Sequence, residues 1–133
     1  MTCKTCEAIA LGLGLWIAGA LLIVLFGGRL LIPILVFPVA LLTAPAMWWG
    51  TRLYLRDVPG QECAYAGLRL GVIVVAVQCV LDSAGLSVIF QFGEAFLSPA
   101  ASETLVVGLI AAYFWMLVVP GWEGKRMGQR KAT

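Results

Sequence analysis

Histidine is absent from this 133-residue chain, and charged residues are scarce. The missing imidazole removes the commonest general base and metal ligand, and with it His-based catalytic triads, HExxH zinc sites and histidine-ligated haem. Only 12% of the residues are charged, whereas a soluble domain carries about 25%. The net charge of +2 gives no indication of a nucleic-acid-binding surface. We therefore expect no enzyme, no cofactor and no nucleic-acid partner.

Apolar residues take the place of the missing charges. They make up 62% of the chain, compared with about 45–50% in a soluble globular domain. Folded in water, such a chain would expose large apolar patches. The composition therefore predicts an integral membrane protein.

Four apolar runs are separated by segments that carry charge, glycine or proline. The first run would span about 27 Å as a helix, close to the roughly 30 Å of a bilayer's hydrocarbon core. We therefore predict an all-α membrane protein, one domain whose four transmembrane helices form an up-down antiparallel bundle. The predicted helices cover residues 9–26, 30–50, 64–90 and 99–119, followed by a basic tail at 123–133.

Proline positions predict the ends and the shape of two helices. The second run contains three prolines, so we expect a helix that is kinked or partly unwound. Ser98 and Pro99 are typical of a helix start, as N-cap and first helical residue. Pro120 and Gly121 predict the end of the fourth helix.

Basic residues are divided unevenly between the two sides of the predicted bundle. The N-terminus, the loop between the second and third helices and the C-terminus share one side, and Arg69 lies nearest to it. Only Arg29 lies on the other side, so the division is eight to one. This bias predicts that both termini are cytoplasmic. The residues on the predicted cytoplasmic side are Lys4, Arg52, Arg56, Lys125, Arg126, Arg130 and Lys131.

A narrow stripe on the third predicted helix collects small and polar residues. At 100° per residue its members fall within about 60° of one another. The Gly67-x-x-x-Gly71 spacing allows a second backbone to approach closely, so the stripe should face the bundle interior or a partner subunit. The candidate packing residues are Gly67, Gly71 and Gly85 here, and Gly12 and Gly19 on the first helix.

Three polar side chains lie inside the third apolar run. Unpaired, the carboxylate of Asp82 would cost about 2.5–3.5 kcal/mol within the bilayer. Asp82 is either a proton or cation site, with Gln78 one turn below it, or a hydrogen-bonded packing residue. Arg69 lies on the opposite face, where we expect it to reach the headgroups or a carboxylate of Glu7, Asp57 or Glu62.

The remaining candidate residues are cysteines and aromatic residues. Cys3-x-x-Cys6 has a redox or metal-ligand spacing, and Cys63 is a third thiol on the same side. A structural zinc site usually needs four ligands, so we predict no metal, although a thiol-based metal or redox site stays an alternative. Three aromatic residues inside the first and fourth helices are interpreted as packing residues, or as a wall for an apolar or cationic ligand: Trp16, Tyr113 and Trp115.

Several short motifs resemble a family of small four-helix bacterial inner-membrane proteins known only as a domain of unknown function. They are Gly14-Leu15-Trp16, Pro45-x-Met47, Leu81-Asp82 and Ala112-Tyr113. The resemblance covers residues 11–121 and implies a bacterial inner-membrane location without a known activity. Small multidrug transporters have a similar length, but their intramembrane glutamate has no counterpart here, because Glu7 precedes the first predicted helix.

Taken together, these features predict a non-catalytic accessory or interaction protein of the inner membrane. The alternatives are a small oligomeric transporter or channel that uses Asp82 and Gln78, and a cytoplasmic-face thiol site at Cys3 and Cys6. The expected partners are the lipid bilayer and a membrane protein or a second copy of the chain.

Overall fold

The part of the chain that the structure describes is helical except for a short turn at 56–59 and the last residue. A computed structural model describes residues 3–26, 32–92 and 99–133, with side chains at 4–22, 38, 40–85, 103 and 106–133. No strand occurs among these residues, which confirms the all-helical prediction. The helices are α1 (Cys3–Phe26), α2 (Ile32–Leu55), α3 (Cys63–Phe92) and α4 (Pro99–Ala132), and a short 3₁₀ helix (Gly60–Glu62) precedes α3.

The fourth helix does not end where the sequence analysis expected. α4 passes through Pro120 and continues to Ala132, so the region predicted as a basic tail is helical. Proline has no backbone N–H, so the carbonyl four residues earlier loses its helical hydrogen bond. That carbonyl belongs to Met116, and its oxygen lies 2.9 Å from the place where a Cβ at Gly71 would stand. The freed oxygen thus faces the backbone of α3, and packing overrides the local break.

α2 likewise remains helical through two of its prolines, Pro38 and Pro45. It ends at Leu55 rather than near residue 50. Helices in a membrane tolerate proline when neighbouring groups satisfy the freed backbone. The last turn of α2, whose carbonyls are left free by the helix end, is contacted by lysines from both ends of the chain.

The helices pack in a ring whose order differs from their order along the chain. α4 packs extensively against both α2 and α3, while α1 packs against α3 and α2. In the described residues α2 and α3 touch only briefly, and α1 and α4 are not direct neighbours. Each helix therefore has as its neighbours one helix next in sequence and one helix two places away.

Successive helices run in opposite directions. Lys4 at the start of α1 reaches the backbone oxygen of Tyr54 at the end of α2, so these two helices are antiparallel. The last turn of α4 also meets the end of α2, where Lys131 bonds to the oxygen of Leu55, so α2 and α4 are parallel. The N-terminus, the α2–α3 connection and the end of α4 consequently meet at one end of the molecule, which we call the basic end.

The exterior is apolar over most of its length. Met47, Leu70 and Val74 are fully buried between the helices, whereas Val80 and Ile110 are mostly exposed. Among the described residues, three helices are long and apolar enough to cross a membrane, at Lys4–Leu22, Gly60–Gly85 and Val106–Ala132. These spans indicate an integral membrane protein. That α2 forms a fourth span stays a prediction, because much of its first half lacks described side chains.

Candidate functional site

Asp82 accepts hydrogen bonds from two other helices. Its Oδ1 receives the indole N–H of Trp16 on α1 at 3.0 Å. Its Oδ2 receives the hydroxyl of Tyr113 on α4 at 2.5 Å. The carboxylate thereby links two helices that do not pack directly against each other in the described residues. We call Asp82, Trp16 and Tyr113 the Asp82 cluster.

The sequence analysis placed all three residues inside helices but did not connect them. Trp16 and Tyr113 were interpreted as packing residues or a ligand wall, and their donors were not assigned to Asp82. A buried Trp or Tyr usually finds a partner for its polar atom, and that signal could have suggested the pairing. Assigning the pairing also requires knowing which helices are adjacent, and the sequence does not contain that information.

Gln78 lies one turn below Asp82 and is 4% exposed. Its amide nitrogen donates to the backbone oxygen of Gly12 on α1 at 2.8 Å. Side-chain bonds to a neighbouring helix are one of the forces that hold membrane helices together. Among the described side chains, none of the fully buried nitrogen and oxygen atoms lacks a hydrogen-bond partner.

The predicted packing glycines lie at contacts of different closeness. A Cβ at Gly67 would overlap the backbone oxygen of Pro120, and one at Gly71 would stand 2.9 Å from that of Met116. These two glycines allow α3 and α4 to meet backbone to backbone. A Cβ at Gly12 would stand 3.1 Å from the side chain of Val77, and one at Gly85 would stand 3.7 Å from that of Trp16. Gly19, the remaining predicted packing residue, is half-buried.

Arg69 is exposed at the basic end, where its described bond is to a hydroxyl group. Its guanidinium donates to the hydroxyl of Thr5 on α1 at 3.0 Å. Glu7 instead pairs with Lys4 at 3.1 Å. α1 and α3 are parallel, so the Arg69–Thr5 bond lies on the same α1–α3 contact as the bonds of Gln78 and Asp82, a few helical turns away from them.

The cysteines are not brought together into a site in the described residues. Cys6 is exposed, whereas Cys63 is fully buried and its thiol lies 3.5 Å from the backbone oxygen of Val58. The side chain of Cys3 lies outside the described residues. No group of three His, Cys, Asp or Glu side chains that could hold a metal ion occurs among those that are described.

A buried ion pair near the basic end was missed by the sequence analysis. Glu123 is 1% exposed and accepts from the Nε of Arg52 at 2.8 Å. The Arg52 guanidinium lies 3.9 Å above the Trp48 ring, a distance typical of a cation–π contact. Glu123 was assigned to the tail only because the fourth helix was expected to stop at residue 119.

Two lysines cap the end of α2. Lys131 donates to the backbone oxygens of Leu55, Arg56 and Val58 at 3.0, 3.0 and 2.6 Å. A helix exposes its last carbonyls and carries partial negative charge at that end, so a cation is favoured there. Lys4 donates to the backbone oxygen of Tyr54 at 3.1 Å.

No protein-family model matches this chain, and no curated protein or solved structure matches it either. The resemblance to a family of small inner-membrane proteins therefore stays a prediction. The function has to be argued from the geometry. That geometry consists of polar side chains that tie helices together, an apolar exterior and a basic end.

Proposed function

We propose that this chain is a non-catalytic accessory protein that binds a membrane-spanning partner through the outer face of α1. The observation that carries the proposal is a row of small residues one turn apart, Ala10, Gly14 and Ala18, all exposed. Apart from the adjacent residues and the local backbone of α1, no described atom lies within 4 Å of the place where a Cβ at Gly14 would stand. We call these three residues the small face of α1.

Small residues promote helix association in lipid because they let two backbones approach closely. This protein uses that device internally, where Gly67 and Gly71 bring α3 onto α4. The small face of α1 repeats the spacing on the outside. The polar bonds of Gln78 and Asp82 hold α1 on the rest of the protein, so the face is presented by an anchored helix.

The proposed location is a bacterial inner membrane with both termini cytoplasmic. Support comes from the basic residues, which collect where the two termini and the α2–α3 connection meet. Basic segments are retained on the cytoplasmic side. A reporter active only in the periplasm, fused after Thr133, is expected to be silent, and a periplasmic signal would refute this orientation.

Gly14→Ile tests the interaction by filling the small face. The matched control is Gly121→Ile, because Gly121 is also helical and its Cβ position is equally open beyond its own stretch of helix. The protein is purified in mild detergent and its mass is measured by light scattering after size exclusion. We expect the first variant to lose a co-purifying membrane protein and the control to retain it.

Equal retention by both variants would contradict a role for the small face of α1. A complex whose mass is a multiple of the 14.2 kDa chain alone would contradict the accessory role and favour an oligomer. In that case the interaction would join copies of the same protein.

The second candidate is a small oligomeric transporter that uses Asp82 and Gln78. It is favoured by one observation, that Asp82 is only half-buried and bridges two helices that are not direct neighbours. Proton or cation flux into proteoliposomes tests it. A flux that is present in the wild type and absent in a folded Asp82→Asn variant would establish this candidate, and no wild-type flux would refute it.

A further inference from the structure

A groove runs between α2 and α4 and opens toward the surroundings. It contains a larger cavity of about 540 Å³ and, next to it, a smaller one of about 250 Å³. Glu123 lines both, so the two cavities adjoin each other at its ion pair with Arg52. We call this feature the α2–α4 groove.

The chemistry of the groove changes along its length in the same direction on both helices. On α2 the lining passes from Pro45 to Trp48 and then to Arg52. On α4 it passes from Trp115 through Trp122 to basic residues. The two gradients coincide because α2 and α4 are parallel. The groove therefore holds apolar and aromatic residues along one part and basic residues at the other end.

This order matches one leaflet of a bilayer. Apolar residues face acyl chains, tryptophans concentrate at the interface, and arginines lie at headgroup level. From Trp115 to Arg126 the helix rises about 16 Å, close to half of a hydrocarbon core of about 30 Å. An acyl chain lying along the apolar part would place its headgroup at the basic end.

The charge at the basic end favours an anionic headgroup. Arg126 lines the larger cavity, and Arg130 lines the smaller one. Among the described residues neither of these arginines pairs with a carboxylate. Arg52 uses its Nε for Glu123, and its two terminal nitrogens have no acceptor among the hydrogen bonds of the described residues. Guanidinium groups bind phosphate oxygens in a bidentate manner.

We propose that the α2–α4 groove binds an anionic phospholipid, with its phosphate between Arg52, Arg126 and Arg130 and an acyl chain against Trp122 and Trp115. The proposal does not depend on the small face of α1, which belongs to another helix. It assigns to the protein a specific lipid site in addition to general contact with the bilayer.

Native mass spectrometry in a neutral detergent tests the site with two lipids that have identical acyl chains. The expected result is tighter binding of phosphatidylglycerol than of phosphatidylcholine. Arg126→Gln is expected to weaken phosphatidylglycerol binding about five-fold, since a basic residue near an anionic lipid contributes roughly that factor. Lys125→Gln is the control, because Lys125 is also exposed but lines neither cavity.

A second pair of variants tests the aromatic part. Trp122 and Trp49 are similarly exposed, at 70% and 64%, but only Trp122 lines the groove. Trp122→Leu should weaken phosphatidylglycerol binding, and Trp49→Leu should leave it unchanged. Equal affinity for the two lipids, or equal loss in a variant and its control, would overturn the proposal. Displacement of the lipid by an equal concentration of glycerol phosphate would also overturn it, because the headgroup alone would then suffice.

Discussion

Removing the acceptor at the Asp82 cluster should destabilise the protein through two separate bonds. Asp82→Ala leaves the indole N–H of Trp16 and the hydroxyl of Tyr113 without their shared partner. Asp82→Asn keeps one carbonyl oxygen for the indole, and its amide can donate to the tyrosine oxygen instead. The two substitutions therefore separate loss of the bonds from loss of the charge.

The magnitude follows from the number of bonds. Hydrogen bonds between membrane helices contribute about 0.6 kcal/mol on average and reach about 1.7 kcal/mol. With two such bonds, Asp82→Ala is expected to lower the free energy of unfolding by about 1–3 kcal/mol. Asp82→Asn should lower it by less than about 1 kcal/mol, because both partners keep a bond.

Unfolding in mixed micelles of mild detergent and dodecyl sulfate, followed by circular dichroism, provides the measurement. A double-mutant cycle with Trp16→Phe and a second cycle with Tyr113→Phe isolate each bond from the packing of the rings. Each cycle should give a coupling energy of about 0.6–1.7 kcal/mol. That range exceeds the roughly 0.3–0.5 kcal/mol within which independent sites add.

Coupling energies near zero in both cycles would refute the reasoning, since the bonds would then contribute nothing to stability. A larger loss for Asp82→Asn than for Asp82→Ala would refute it as well. Both variants lack the charge, so that order would mean that the hydrogen bonds kept by Asp82→Asn do not stabilise the helices.

Three further substitutions test other contacts by the same unfolding measurement. Arg52→Gln should lower the free energy of unfolding by about 2–4 kcal/mol, because it leaves the carboxylate of Glu123 buried without its cation. Gly67→Ala should lower the free energy of unfolding by about 1–3 kcal/mol, since its methyl group meets a backbone oxygen of α4 that cannot move aside. Gly14→Ala is the control, because the new methyl group has open space and should not lower that free energy. Lys131→Ala should cost about 1–2 kcal/mol through the loss of three carbonyl contacts at the end of α2.

Exposed basic residues provide the controls for the two charge substitutions. Arg56→Gln and Lys125→Ala change the net charge equally, and neither side chain forms an ion pair in the described residues. If Arg56→Gln destabilised as much as Arg52→Gln, the buried pair would not be the cause. If Lys125→Ala matched Lys131→Ala, general charge would explain the effect better than capping.

Composition and run length determined the class of this protein. The chain has 62% apolar and 12% charged residues, and long uninterrupted apolar runs of this kind satisfy their backbone in lipid as helices. The bounds of α3 and the start of α4 lie close to those predicted, whereas α1 begins earlier, at Cys3, and α2 and α4 end later, at Leu55 and Ala132. The stripe of Gly67, Gly71, Gln78 and Asp82 was also readable, because helical periodicity alone places these residues on one face.

The neighbours of each helix were decided by tertiary structure. Helical periodicity gives the face of Asp82 but not the helix opposite it, so its bonds to Trp16 and Tyr113 could not be read from the sequence. Pro120 illustrates the same limit, since its local effect predicts an end, while the ion pair of Glu123 and the capping by Lys131 stabilise the helix beyond it. Proline's local cost of about 3 kcal/mol is opposed by contacts with residues more than 70 positions away in the chain, and only the folded protein brings them together.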